Sequence, residues 1–233
     1  MSVPWLLRMR WVDLLFAHWP LDPGQLGGLL PAGLEPELHD GRAWLGIVPF
    51  TMADVAPRGV PAIPRLSRFP ELNVRTYVRH RGVPGVWFLS LDAASRPTVE
   101  GARRAFHLPY FRAEMTAVRE ADVVTYASIR ADGRGSPAAF AARYGPTGPP
   151  ALATPGSLEA FLTDRPRLFA VDGRGRISQT SVEHAPWPLR PAWAEITTNT
   201  MASSHGIDLP DVPPHLLFAD RVDVHGHLPT APD

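Results

Sequence analysis

The chain has 233 residues, 45% apolar and 20% charged, with 23 acidic and 23 basic residues balancing to a formal net charge of zero. That balance argues against a general nucleic-acid binder and against a polybasic membrane-surface protein. Cysteine is absent, and all 23 basic residues are arginine, so disulfides, thiolate chemistry, Cys-ligated metals and a Schiff base on lysine are excluded.

Residues 8–19 alternate in part and are rich in aromatic and branched side chains, which predicts a strand. Asp22-Pro23 reads as an N-cap with proline at the first helical position, opening a helix to about residue 30. Residues 43–50 form a second strand pattern. Prolines 57, 61, 64 and 70 make residues 54–70 a long loop, a length often used for lids and binding loops. Residues 71–81 and 86–92 carry the clearest strand patterns, and the link through Gly82 and Gly85 suits a hairpin. Residues 95–106 read as a helix with Val99, Ala102 and Phe106 on one face. Two strand pairs follow, 111–119 with 123–130 and 168–171 with 177–182. Between them, Thr154-Pro155-Gly156-Ser157 opens a helix through Leu162, and strands at 189–196 and 218–224 complete the set. Strands outnumber the two or three short helices. The expected fold is therefore α+β, a large antiparallel or mixed sheet closing into a barrel. Residues 145–156 are the best linker candidate, yet the strand patterns on either side are alike, so one domain over residues 1–233 is expected.

Every apolar run is interrupted well before the ~20 residues of a membrane span, and the N-terminus lacks the pattern of a signal peptide. A soluble, cytoplasmic protein is the default expectation. Nine histidines are scattered along the chain. His225-Gly226-His227 puts two imidazoles on one strand face, but no matching ligand pair stands out, so no metal site is assigned. The Asp-Gly-Arg-Gly stretches at 132–135 and 172–175 read as turns rather than phosphate loops. Ser90 has no neighbouring base in sequence and reads as structural, and the seven tryptophans read as packing residues.

The strand from Glu71 to Val78 carries the most chemistry. Alternation puts Glu71, Asn73, Arg75 and Tyr77 on one face and Leu72, Val74, Thr76 and Val78 on the other. Two readings stay open. The polar face is either a solvated exterior with an ordinary surface ion pair, or the lining of a barrel cavity in which Arg75 grips an anion.

Several segments together resemble the uncharacterised bacterial YqjF-like family, a domain of unknown function (DUF2071). They are Phe16-Ala17-His18-Trp19-Pro20, Trp44 through Pro49-Phe50, Glu71 through Val78, Gly85 through Asp92, Leu108-Pro109-Tyr110 and His184 through Leu189. A more distant likeness, in the order of elements, is to the acetoacetate decarboxylases. The segment Leu30-Pro31-Ala32-Gly33-Leu34-Glu35-Pro36 is similar to theirs, and Glu71 after Phe69-Pro70 looks like their strand-opening glutamate. Their catalytic lysine follows a proline just after a helix. In Phe106-His107-Leu108-Pro109-Tyr110 that position is a tyrosine. The resemblance thus implies an acetoacetate-decarboxylase-like barrel that does not form an imine, because a phenol donates a proton or hydrogen bond but cannot condense with a carbonyl.

The reading that follows is a small-molecule-binding barrel. If it is an enzyme, it moves protons next to a carbonyl or carboxylate, with Glu71 as acid or base and Tyr110 as donor. Asn73, Arg75, His18 and His107 are the ligand-binding candidates. The alternative is a non-catalytic binding or sensor module. The expected partner is a small anionic organic ligand, with no nucleic acid, membrane, metal or cofactor, and homo-oligomerisation stays open.

Overall fold

The computed structural model describes residues 5–63 and 67–232. Its strands are β1 (Leu7–Leu21), β2 (Glu35–Pro36), β3 (Ala43–Pro57), β4 (Phe69–His80), β5 (Val83–Ala93), β6 (Tyr110–Glu120), β7 (Val123–Arg130), β8 (Ala139–Pro146), β9 (Arg167–Val171), β10 (Ile177–His184), β11 (Arg190–Asn199) and β12 (His215–Gly226). Helix α1 (Arg96–Phe106) precedes β6, and helix α2 (Leu158–Thr163) precedes β9. No helix among the described residues is long and apolar enough to cross a membrane.

The strands follow the order β10-β9-β5-β6-β7-β8-β11-β12-β1-β3-β4-β2, and further pairings β10–β12 and β5–β4 close the sheet on itself. Two rings result. The wider one runs β4-β5-β6-β7-β8-β11-β12-β1-β3 and returns to β4. The narrower one runs β4-β5-β9-β10-β12-β1-β3. Both pass through β5, β4, β3, β1 and β12. The barrel is mixed because β5 runs parallel to both β6 and β9. The wider ring closes through short pairings, three residues between β5 and β6 and two between β11 and β12, so among the described residues the rest of β6 and β11 each pair on one side only.

Strands shared by two rings are buried on both faces, and this accounts for apolar runs such as Leu14-Leu15-Phe16-Ala17. Leu15, Ala17, Ile47, Leu72 and Val74 pack with Tyr126, Phe140 and Tyr144 of the wider ring. Leu14, Phe16, Val48 and Phe50 pack with Trp187, Tyr110 and Val99 in a second core. A bulge in β1 reassigns its faces. Its register with β3 shifts between Val12 and Ala17, and Asp13 takes φ 58°. The residues facing the second core thereby change from odd-numbered Met9 and Trp11 to even-numbered Leu14 and Phe16. Arg119 Nη1 donates to Asp13 Oδ1 at 2.6 Å and the Tyr144 hydroxyl donates to the Asp13 carbonyl at 2.9 Å, holding the bulge.

Several expectations need correction. The helix expected over residues 22–30 is a single 3-10 turn, Pro23–Leu26. Asp22 does cap it, accepting from the Gly24 amide at 2.7 Å, but Gly27 and Gly28 follow and resist helix propagation. The loop expected over 54–70 is shorter, because β3 continues to Pro57 and β4 begins at Phe69; residues 64–66 of it lie outside the described residues. Proline at 57 ends a strand, and Pro70 sits in the first two residues of another, where a missing N–H is tolerated. Strand β8 has no counterpart among the expected elements. Its alanines have low strand propensity, and it forms because β7 and β11 flank it on both sides. The supposed linker at 145–156 begins inside β8 and is tied back to the sheet where Ala151 pairs with Leu189.

Candidate functional site

The narrower ring encloses a cavity of about 160 Å³. Its walls are mainly apolar, with Trp11, Phe16, Phe50, Phe88 and Trp187 among them, and α1 covers one side with Thr98, Ala102 and Phe106. Trp11 stacks with Trp187 at 5.9 Å between centroids, and Phe16 meets Trp187 edge-on at 5.1 Å. Into this apolar space β4 projects Glu71, Asn73 and Arg75 at strand spacing. The polar face of β4 therefore lines a cavity and does not face solvent. The odd–even pattern could not show this, because it separates two faces without saying which is inside.

Glu71 and Tyr110 meet although they are 39 residues apart. Glu71 sits opposite Ala93 on β5, and β5 in turn pairs with the first residues of β6 through Leu91 and Tyr110. Tyr110 is fixed by its own backbone. Its carbonyl accepts from Arg103 Nη1 at 2.7 Å, and its amide donates to the Leu108 carbonyl at 2.8 Å. The hydroxyl donates to both carboxylate oxygens of Glu71, at 3.1 and 3.2 Å. From the far side of the sheet, the Tyr126 hydroxyl donates to the Glu71 backbone carbonyl at 2.7 Å.

Burial dominates the electrostatics of this pair. Glu71 is 1% exposed. Desolvation pushes its carboxyl up to about 8, against the pull of the Tyr110 hydroxyl and Asn73 amide, with the Asp92 charge adding to the rise. Desolvation also keeps the Tyr110 phenol protonated well above its ordinary range, and the Glu71 charge acts in the same direction. A carboxyl poised near neutral pH beside a permanent phenol donor has the form of an acid–base pair.

Arg75 lies two alternations along the same face. Its Nη2 donates to the Leu162 carbonyl at 2.9 Å, its Nε is buried with no partner, and its guanidinium lies 5.5 Å from the Phe16 ring. Among the described residues, no carboxylate comes within 4 Å of it. Arg165, which also borders the cavity, is committed to Glu37 at 2.6 Å and to the Phe161 carbonyl at 2.6 Å. The Asn73 side-chain oxygen is buried and unpartnered between the Glu71 and Arg75 positions.

The two histidine candidates lie elsewhere. His18 is fully buried and does not line the cavity. Its Nε2 is 2.7 Å from the Tyr77 hydroxyl, which in turn donates to the Leu162 carbonyl at 2.6 Å. Burial, and then the Arg75 charge, hold its pKa well below the ordinary histidine value, so it stays neutral. Gly46 makes room for it, since a Cβ there would lie 2.7 Å from His18 Nε2. His107 is exposed and caps the C-terminus of α1 with φ 54°, turning the chain so that Leu108 and Tyr110 enter the cavity. Its position in the motif pointed to the site; its side chain points away from it.

The remaining sequence readings can be placed too. Both Asp-Gly-Arg-Gly stretches are turns, with Asp132 and Asp172 accepting from the Arg134 and Arg174 amides at 3.1 and 2.8 Å. Ser90 accepts from Arg130 Nη2 at 3.0 Å inside a buried Asp92–Arg130 pair. His227 meets Glu183 at 2.9 Å, and among the described residues no group of three His, Cys, Asp or Glu side chains is placed to hold a metal. Sequence reasoning missed Arg165 and the aromatic wall. Arg165 follows a short helix in a proline-flanked stretch with no periodic signal, and the wall is gathered from four separate strands and loops.

Comparison with known proteins agrees with this fold. A family model described as an uncharacterized conserved protein, DUF2071, matches residues 8–223. The chain is 43% identical over 226 residues to the uncharacterized protein YqjF of Bacillus subtilis, covering 96% of this chain and 92% of that one. In fold it is similar to acetoacetate decarboxylase from Legionella pneumophila, with a TM-score of 0.66 at 15% identity over 98% of this chain and 89% of that one. It is similar also to an acetoacetate decarboxylase-like enzyme from Sphingomonas wittichii, with a TM-score of 0.64 at 17% identity over 99% and 94%. The enduracididine biosynthesis enzyme MppR gives a TM-score of 0.66 at 14% identity over 99% and 90%. With an acetoacetate-decarboxylase-like barrel around its cavity and this match along most of its length, the chain belongs to the uncharacterised DUF2071 family.

Proposed function

We propose that this barrel binds a small carbonyl-bearing carboxylate and moves a proton at the carbon next to its carbonyl. The observation that carries the reading is the buried Glu71–Tyr110 pair, facing a cavity whose nearby Arg75 has no carboxylate partner among the described residues. In its ionised form Glu71 takes the proton. The electron pair of the broken C–H bond becomes the enolate double bond, and the charge arriving on the carbonyl oxygen accepts a hydrogen bond from the Tyr110 hydroxyl. Returning the proton to the same or a neighbouring carbon completes an exchange or an isomerisation. Once Tyr110 turns to the ligand, Glu71 loses a contact that lowers its pKa, and its basicity rises at the moment it is used. The chemistry differs from imine-based decarboxylation, since the chain has no lysine. The structurally similar MppR has been seen with pyruvate, a compound of this class. We place the activity in the cytoplasm.

The test is hydrogen–deuterium exchange at the carbon next to the carbonyl, followed by proton NMR in D2O with pyruvate and larger 2-oxo acids. Exchange is expected to rise with pH to an inflection near 8, to vanish in Glu71→Gln, and to slow in Tyr110→Phe with its inflection moved upward. Retention of full exchange by Glu71→Gln would refute the reading. Undiminished ligand affinity with no exchange in the wild type would instead mark a binding module, the second reading that a largely apolar cavity favours.

A further inference from the structure

We infer that the ligand is an apolar-bodied carboxylate of about single-ring size, with its carboxylate on Arg75 and its body against the Trp11–Trp187 wall. This rests on the reading of the cavity as a ligand site, and it narrows the substrate class. Three observations support it.

The first is charge. Arg75 brings a guanidinium into an apolar space with no carboxylate near it among the described residues, and its buried Nε has no acceptor. Its hydrogen bond among the described residues is to a neutral carbonyl, that of Leu162, and the rings it lies over, Phe16 and Tyr77, carry no charge to match it. Arg165 is already matched by Glu37, and Arg167 also lines the cavity. A carboxylate there supplies the missing counter-charge and an acceptor for Nε.

The second is the wall. Trp11 lies 5.8 Å from Phe50 and 5.9 Å from Trp187, and Phe16 closes onto Trp187, so the rings form one continuous surface. Phe88 and Phe106 extend the apolar lining. A short acid such as pyruvate leaves that surface unfilled, and each further buried methylene is worth a few-fold in affinity, so a ring adds about tenfold or more.

The third is size. A cavity of about 160 Å³ matches the ~150 Å³ at which an apolar protein cavity takes up one benzene ring.

The experiment is isothermal titration of the whole protein at pH 7 with 3-phenylpropionate, 3-phenylpropionamide, phenylpyruvate and pyruvate. The acid is expected to bind at least about tenfold more tightly than its amide, and phenylpyruvate at least about tenfold more tightly than pyruvate. Arg75→Met should erase the preference for acid over amide while keeping affinity for the amide. The wild-type comparison needs no variant, so it stands even if Arg75→Met folds poorly. Equal binding of acid and amide, equal binding of pyruvate and phenylpyruvate, or binding of none of the four would overturn the inference. Tight phenylpyruvate binding without deuterium exchange leaves this inference standing and removes the proton-transfer reading. Exchange of pyruvate with no aryl-acid preference does the reverse.

Discussion

Replacing Glu71 with glutamine keeps the shape of the side chain and an acceptor for the Tyr110 hydroxyl, but removes a group that ionises. The folded protein holds this carboxyl at about 8 from an ordinary 4.5, chiefly through burial. Below the unfolded value it is protonated in both states and costs nothing. Between the two values the unfolded chain ionises while the folded one does not, so stability falls as pH rises; above the folded value the loss is constant. At about 1.4 kcal/mol per pH unit, the carboxyl costs about 3 kcal/mol at pH 7 and about 5 kcal/mol at pH 8 and beyond. Glu71→Gln should therefore gain stability over wild type progressively, with little difference at pH 5 and a plateau past pH 8. Urea unfolding of both proteins from pH 5 to 9 measures the gap, and other titrating groups cancel in the difference. A gap that is flat or shrinks as pH rises would show that Glu71 is not held protonated by burial. A stabilised but inactive Glu71→Gln would mark the strain of a buried carboxyl kept for use.

Two further substitutions test how the site is supported. Arg130→Met strands the fully buried Asp92 carboxylate and should cost about 3–5 kcal/mol in urea unfolding, with part of the loss recovered by adding Asp92→Asn. Gly46→Ala would place a methyl 2.7 Å from His18 Nε2 and 3.3 Å from Arg75 Cγ. His18 is fully buried and cannot swing away, so a loss of about 1–3 kcal/mol is expected, with weakened binding of 3-phenylpropionate as Arg75 shifts. Unchanged stability in Gly46→Ala would mean that the packing around Arg75 is looser than the structure indicates.

The sequence by itself settled the chemistry that is unavailable and much of the local order. With neither lysine nor cysteine, no side-chain imine or thiolate can form anywhere in the fold. Alternation alone put Glu71, Asn73 and Arg75 on one face, because strand geometry fixes which residues share a side. The turns at Asp132 and Asp172 and the cap at Asp22 were legible for the same reason: each depends on a few neighbouring residues. Tertiary structure decided which face is the inside. A sheet that closes twice buries both faces of its shared strands, so a polar face there reads in sequence like a solvated exterior. It also decided that Tyr110, and neither His18 nor His107, joins Glu71. That contact runs across β5 through a parallel pairing that no local pattern encodes. The bulge at Asp13 is of the same kind, since an arginine 106 residues away on β6 holds it. It determines which residues of β1 build the cavity wall.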